Sequence, residues 1–167
     1  MGNGAMFHIY FYRRKKDLTL TDAHIKFYTI PLELRSTSYP KRLKIEVRKG
    51  VKKCDFQERI AFSQYGTQQV ILKCHTLEQT MKNKIAAALE RKDIRDFFDA
   101  EFLLRNGVML KADKATLIKL KELAGKFKEK DYKVALGSLL DKETRNYYIT
   151  NGFEYLIRKI SAILSTH

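Results

Sequence analysis

Cysteine is scarce in this chain. Cys54 and Cys74 are the only two among 167 residues, too few for a disulfide framework, so an intracellular protein is expected. There is no run of 18 apolar residues, which argues against a membrane-spanning helix. The opening residues Met1-Gly2-Asn3-Gly4-Ala5-Met6 have no basic stretch feeding an apolar one, so a secretory signal is not expected. The four histidines, His8, His24, His75 and His167, stand at no ligand spacing from one another or from the cysteines, and no zinc site is predicted. Neither Gly-x-x-x-x-Gly-Lys-Ser/Thr nor Gly-x-Gly-x-x-Gly occurs, which removes two familiar phosphate loops. Gly137-Ser138 runs into Leu139-Leu140 and reads as a turn.

What the chain has is positive charge. Lys and Arg total 33 against 19 Asp and Glu, a net charge of +14. Hydrophobic residues make up 44% and charged residues 31%, the balance of a soluble, folded domain rather than a disordered chain. Residues 1–53 carry 13 basic and only 4 acidic side chains. Such a field favours polyanions: RNA, DNA or nucleotide phosphates. Arg13, Arg14, Lys15 and Lys16 lie next to Tyr10 and Tyr12, and Lys41 and Arg42 open a second basic cluster. These six cations are candidate nucleic-acid contacts, with phosphates met by charge and bases by stacking; the other reading of Tyr10 and Tyr12 is as core residues of a strand. The lysines between 111 and 133 read more simply as the solvated face of an amphipathic helix.

Periodicity splits the chain into strands, then helices. Strands are predicted at Phe7–Tyr12, at His24–Ile30 with Pro31 as the stop, at Arg42–Arg48, at Gln57–Phe62 and at Gln69–Cys74. In the third of these Leu43, Ile45 and Val47 share one face, and Lys44, Glu46 and Arg48 the other. From Thr76 the period changes. Thr76 with Gln79 forms a capping box before the stripe Met81, Ile85, Ala88 and Leu89. A second helix is predicted from about Lys92 to Arg105, ended by Asn106-Gly107. A third is capped by Asp113, and others span Lys142–Tyr148 and Gly152–Leu164. Strands first and helices second define an α+β fold: an N-terminal mixed or antiparallel sheet followed by a C-terminal helical bundle. The expected domains are a β-rich unit over 1–75 and a helical unit over 76–167 packed on the sheet.

Two constellations could carry chemistry. Arg95 and Asp99 are spaced i,i+4, and Asp96 and Asp99 i,i+3, so both pairs share a helix face. Two carboxylates one turn apart beside an arginine can hold a metal, position a base or form a plain ion-pair network. Their neighbours Phe97, Phe98 and Phe102 place part of that helix against a core. Glu46 lies mid-strand between Lys44 and Arg48, placed either to hold Mg²⁺ near phosphates or to make a cross-strand salt bridge.

The stretch Lys84 to Leu104, Lys-x4-Leu-x-Arg-x3-Arg-Asp-x2-Asp-x2-Phe-Leu-Leu, resembles the fourth motif of the AbiEii/AbiGii-type nucleotidyltransferase toxins. These belong to bacterial abortive-infection toxin–antitoxin systems and to the polymerase-β-like nucleotidyltransferase superfamily. Leu43-Lys44-Ile45-Glu46-Val47 is similar to their third motif. Looser likeness continues through Ala135–Leu140, Tyr147-Tyr148 and Asn151–Phe153, so that residues 24–165 are covered. The resemblance implies transfer of a nucleotide from an NTP, with Mg²⁺, to an acceptor such as RNA, in the bacterial cytoplasm. It implies that Asp96 is the essential acid, that Lys84 meets the phosphates, and that Glu46 is a catalytic metal ligand. Lys44, Arg95 and Asp99 would complete the nucleotide-binding set. The family's opening Gly-Ser turn and Asp-x-Asp strand are not found in this chain, so it is expected to begin after those motifs. Activity alone is therefore in question, and an antitoxin or a second polypeptide completing the fold is an expected partner. A non-catalytic RNA- or DNA-binding module is the alternative.

Overall fold

The computed structural model describes residues 18–37, 42–48, 50, 53–63 and 66–166. The predicted strand Phe7–Tyr12 and the basic residues Arg13, Arg14, Lys15, Lys16 and Lys41 lie outside them. The fold is α+β: among the described residues five strands in two antiparallel sheets precede the helices. Two compact units divide the chain between Lys53 and Cys54.

The first unit contains a three-stranded antiparallel sheet of β1 (Leu18–Ala23), β2 (Thr29–Ser36) and β3 (Arg42–Arg48), in that order. Here the expectation for His24–Ile30 is corrected. Residues 24–28 form the link between β1 and β2, closed by the Lys26 N–H donating to the Thr29 carbonyl at 2.8 Å. Pro31 stops nothing and sits inside β2, opposite Glu46. Its carbonyl accepts from His24 N–H on the β1 side. The missing proline N–H points the same way, past the end of β1, so no ladder bond is forfeited. The β2–β3 register sets Leu34 against Leu43, Leu32 against Ile45 and Ile30 against Val47. The alternation read from β3 thus places its apolar residues on one face with those of β2.

The second unit opens with the hairpin of β4 (Phe56–Ser63) and β5 (Gly66–His75). β5 leads directly into α1 (Leu77–Arg91), and Asp55 N–H donates to Gln79 Oε1 at 3.2 Å, tying hairpin to helix. Thr76 caps α1, its hydroxyl accepting from Gln79 N–H. α2 (Ile94–Arg105) is capped by Asp93, α3 (Lys114–Ala124) by Asp113, and α4 (Lys142–Asn151) by Asp141. Each is a short polar side chain satisfying first-turn N–H groups that have no helical partner. A π-helical turn, Asp131–Leu136, precedes α4, and α5 (Glu154–Ser165) closes the described chain.

The core of this unit is helical and aromatic. Met81, Ile85 and Ala88 of α1 join Phe97 and Ala100 of α2, Leu117 and Leu120 of α3, and Leu156 and Ile160 of α5. Phe97, Phe127, Tyr132 and Phe153 interlock edge-on or tilted, with ring centroids 4.9 to 6.3 Å apart. Burial of each large side chain contributes about 1.5–3 kcal/mol, which fixes α2 on its neighbours and so fixes the acids it carries.

Candidate functional site

The link between α1 and α2 is only two residues long. Lys92 takes a left-handed conformation, φ 56°, and donates its N–H to the Ala88 carbonyl. Asp93 then caps α2. This tight reversal brings the last turn of α1 over the first turn of α2.

Four charged side chains meet there. Asp96 is buried, with 4% of its side chain exposed. Its Oδ1 accepts from Arg91 Nη2 at 2.7 Å and lies 3.5 Å from Lys84 Nζ. Lys84 Nζ also lies 2.5 Å from Asp99 Oδ2. Asp96 Oδ2 is buried and has no hydrogen-bond partner among the described residues. The Asp99 hydrogen bond is the largest influence on Lys84 and raises its pKa against the opposing cost of burial. Asp96 sits in the first turn of α2, where the helix dipole also favours a negative charge.

The structure therefore brings Lys84, Asp96 and Asp99 together. Arg95 goes elsewhere: it pairs with Asp93, through Nε at 3.2 Å and Nη2 at 3.2 Å, rather than with Asp99. Arg95 N–H also donates to Asp93, the first cause of that carboxyl's lowered pKa. Arg91 takes the place beside the acids that the i,i+4 spacing suggested for Arg95. The signal was partial: residues 84 and 91 are seven apart and lie on one helix face, but that spacing does not reveal the reversal that brings Arg91 to Asp96.

Glu46 and Lys44 lie on β3 in the first unit, both exposed, and pair with each other at 3.8 Å. Arg42 donates from Nη1 to Glu33 Oε2 at 3.3 Å. Among the described residues no group of three His, Cys, Asp or Glu side chains converges as a metal site. The carboxylates on α2 face Lys84 and Arg91, so this donor set does not fit a resident divalent cation. No helix among the described residues is long and apolar enough to cross a membrane.

A second buried acid escaped the sequence reading. Glu101 of α2 is fully buried. It accepts from Arg105, from Tyr148 Oη at 3.1 Å and from Leu156 N–H at 3.0 Å. The Arg105 guanidinium lies 5.1 Å from the Tyr147 ring centroid and 4.3 Å from that of Tyr155. This network ties α2 to α4 and α5.

The helical hairpin of α1 and α2 thus carries a Lys-Arg-Asp-Asp cluster on an α+β chain. The family model for nucleotidyl transferase AbiEii toxin, Type IV TA system, matches residues 7–151. The chain belongs to that family, and all four residues of the cluster fall inside the match. No curated protein and no solved structure matches it.

Proposed function

We propose that the helical hairpin of α1 and α2 is the phosphate-facing part of a nucleotidyl-transfer site. The observation that carries this is the grip of Lys84 and Arg91 on the buried Asp96. Lys84, about one-third exposed, contacts the phosphates of an NTP that arrives with its own Mg²⁺ as substrate. Asp96 is too buried to meet the nucleotide and acts as a positioning residue: it sets where the two cations point. In the transfer, an acceptor hydroxyl, such as one of RNA, gives up its proton to solvent and bonds to the α-phosphorus, while the bond from the α-phosphorus to the bridging oxygen of the β-phosphate breaks and pyrophosphate leaves. Arg95, in the first turn of α2, is a further residue proposed for the nucleotide. The family description supports an antitoxin as partner. The site is that of a cytoplasmic protein on this reading.

Calorimetric titration with each NTP in the presence of Mg²⁺ tests the proposal. Saturable binding by the chain, lost in Lys84→Ala and weakened in Asp96→Asn, is expected. Binding that survives Lys84→Ala unchanged, or no binding at all, overturns it.

A second reading, a basic nucleic-acid-binding surface, is favoured by one observation. Lys111, Lys114, Lys119, Lys126 and Lys128 are exposed and make no ion pair among the described residues. RNA affinity that falls steeply with added salt, and is indifferent to Lys84→Ala, would support it.

A further inference from the structure

We propose that Asp99 is a built-in competitor of the nucleotide phosphates for Lys84. The inference rests on the reading of Lys84 as a phosphate contact.

Lys84 faces two carboxylates of very different character. Asp96 is buried and already held by Arg91. Asp99 is 41% exposed and stands one helical turn farther along α2. The ammonium lies closer to the exposed acid, 2.5 Å against 3.5 Å. The four groups Lys84, Arg91, Asp96 and Asp99 sum to zero charge, so the free site offers little net attraction to a polyanion. A phosphate oxygen must take the place of Asp99 at the ammonium. Asp99 can yield, because a partly exposed carboxylate regains hydration when it swings outward, and such pairs are weak. Asp96 cannot yield in the same way, because burial holds it under Arg91 and Lys84. The arrangement keeps Lys84 oriented while the site is free and sets a threshold that only a ligand of high charge density crosses. Tri- and diphosphates pass it far better than monophosphates, which makes Asp99 a specificity-determining residue.

The test uses inorganic tripolyphosphate without divalent cations, titrated calorimetrically into the chain and into Asp99→Asn, Asp99→Ser and Lys84→Met. Both Asp99 variants should bind about three- to tenfold more tightly, and Lys84→Met should not bind. A second readout needs no ligand. Acylation of the Lys84 amine, followed by peptide mapping, should be several-fold faster in Asp99→Asn, since the lost carboxylate no longer favours the protonated amine. If Lys84→Met abolishes binding but the Asp99 variants bind no better than the parent chain, the competitor role is wrong and the phosphate contact stands. If the parent chain does not bind tripolyphosphate, or Lys84→Met binds equally well, the phosphate reading fails and the competitor role with it.

Discussion

Glu101 Oε2 accepts the backbone N–H of Leu156 at 3.0 Å, across 55 residues of chain. A side chain of α2 thereby caps the first turn of α5. The same carboxylate accepts from Tyr148 and twice from Arg105, so its removal breaks four hydrogen bonds from three residues. Glu101→Ala should cost about 3–5 kcal/mol, a large part of the roughly 5–15 kcal/mol that holds a domain of this kind folded. Glu101→Gln keeps a carbonyl oxygen and should cost less, about 1–3 kcal/mol. Urea denaturation of the two variants beside the parent chain measures both. A loss below about 1 kcal/mol for Glu101→Ala would mean that the network contributes little net stability.

Alkali should unfold the helical unit through its tyrosines. Burial pushes the Tyr132 phenol up to about 12, with the charges of Glu101 and Asp131 adding to the rise. Burial raises the Tyr148 phenol as well, and its bond to Glu101 reinforces the shift. A phenol whose folded pKa exceeds its unfolded value contributes stability that is whole below the unfolded value, about pH 10, and is lost as pH rises through the folded one. Stability should therefore fall from about pH 10 to about pH 12, with further loss above that from Tyr148. Denaturation curves across this range check the slope. Tyr132→Phe should flatten it, whatever the variant does to stability near neutrality.

The helical part of this fold was legible because its signals are local. Thr76 and Asp113 cap helices at the positions their spacing indicated, and the apolar stripes of α1 and α3 face the core. β1 and the start of β2 were not legible. Leu18–Ala23 is short and rich in Thr, and Pro31 looks like a breaker until the end of β1 is known. Lys84, Asp96 and Asp99 could be read together from one motif. Arg91 could not be preferred to Arg95 from spacing within α2 alone, since its approach depends on the two-residue link at Lys92 and Asp93. Glu101 gave only a faint local sign: it falls four residues after Phe97 and seven after Ile94 on one helix face, and four before Arg105. It is one more acid in a charged helix, and its burial is imposed by Tyr148 and by the backbone at Leu156.

The π-helical turn predicts an intolerant glycine. A Cβ on Gly137 would collide with the carbonyl of Lys133 and crowd that of Tyr132. Both contacts are backbone, so no side chain can move aside. Gly137→Ala should force the turn to reshape, displacing the buried Tyr132 and Leu136, at a cost of about 1–3 kcal/mol. Ser138, exposed on the same turn, serves as the control, and Ser138→Ala should change stability by less than about 0.5 kcal/mol. Thermal denaturation of the pair decides whether the glycine is required by packing. Equal midpoints would show that the turn accommodates a methyl group.

Lys92 joins the fold to the proposed site. Among the described residues it is the only non-glycine with positive φ, 56°, a conformation that costs an L-residue about 1 kcal/mol relative to glycine. Its side chain is exposed and forms no hydrogen bond or ion pair among the described residues that would repay this strain. Lys92→Gly should therefore stabilise the chain by about 0.5–1 kcal/mol and leave nucleotide affinity unchanged, because the reversal that brings Arg91 to Asp96 is preserved. Lys92→Ile should do the opposite on both counts. A β-branched side chain resists the left-handed region, so the link would open and Arg91 would leave the buried carboxylate. Its stability should fall by about 1–3 kcal/mol, and calorimetric NTP affinity should fall with it. If Lys92→Ile loses stability yet binds NTP as well as the parent chain, the reversal matters to the fold alone and the Arg91–Asp96 pair is not part of the nucleotide site.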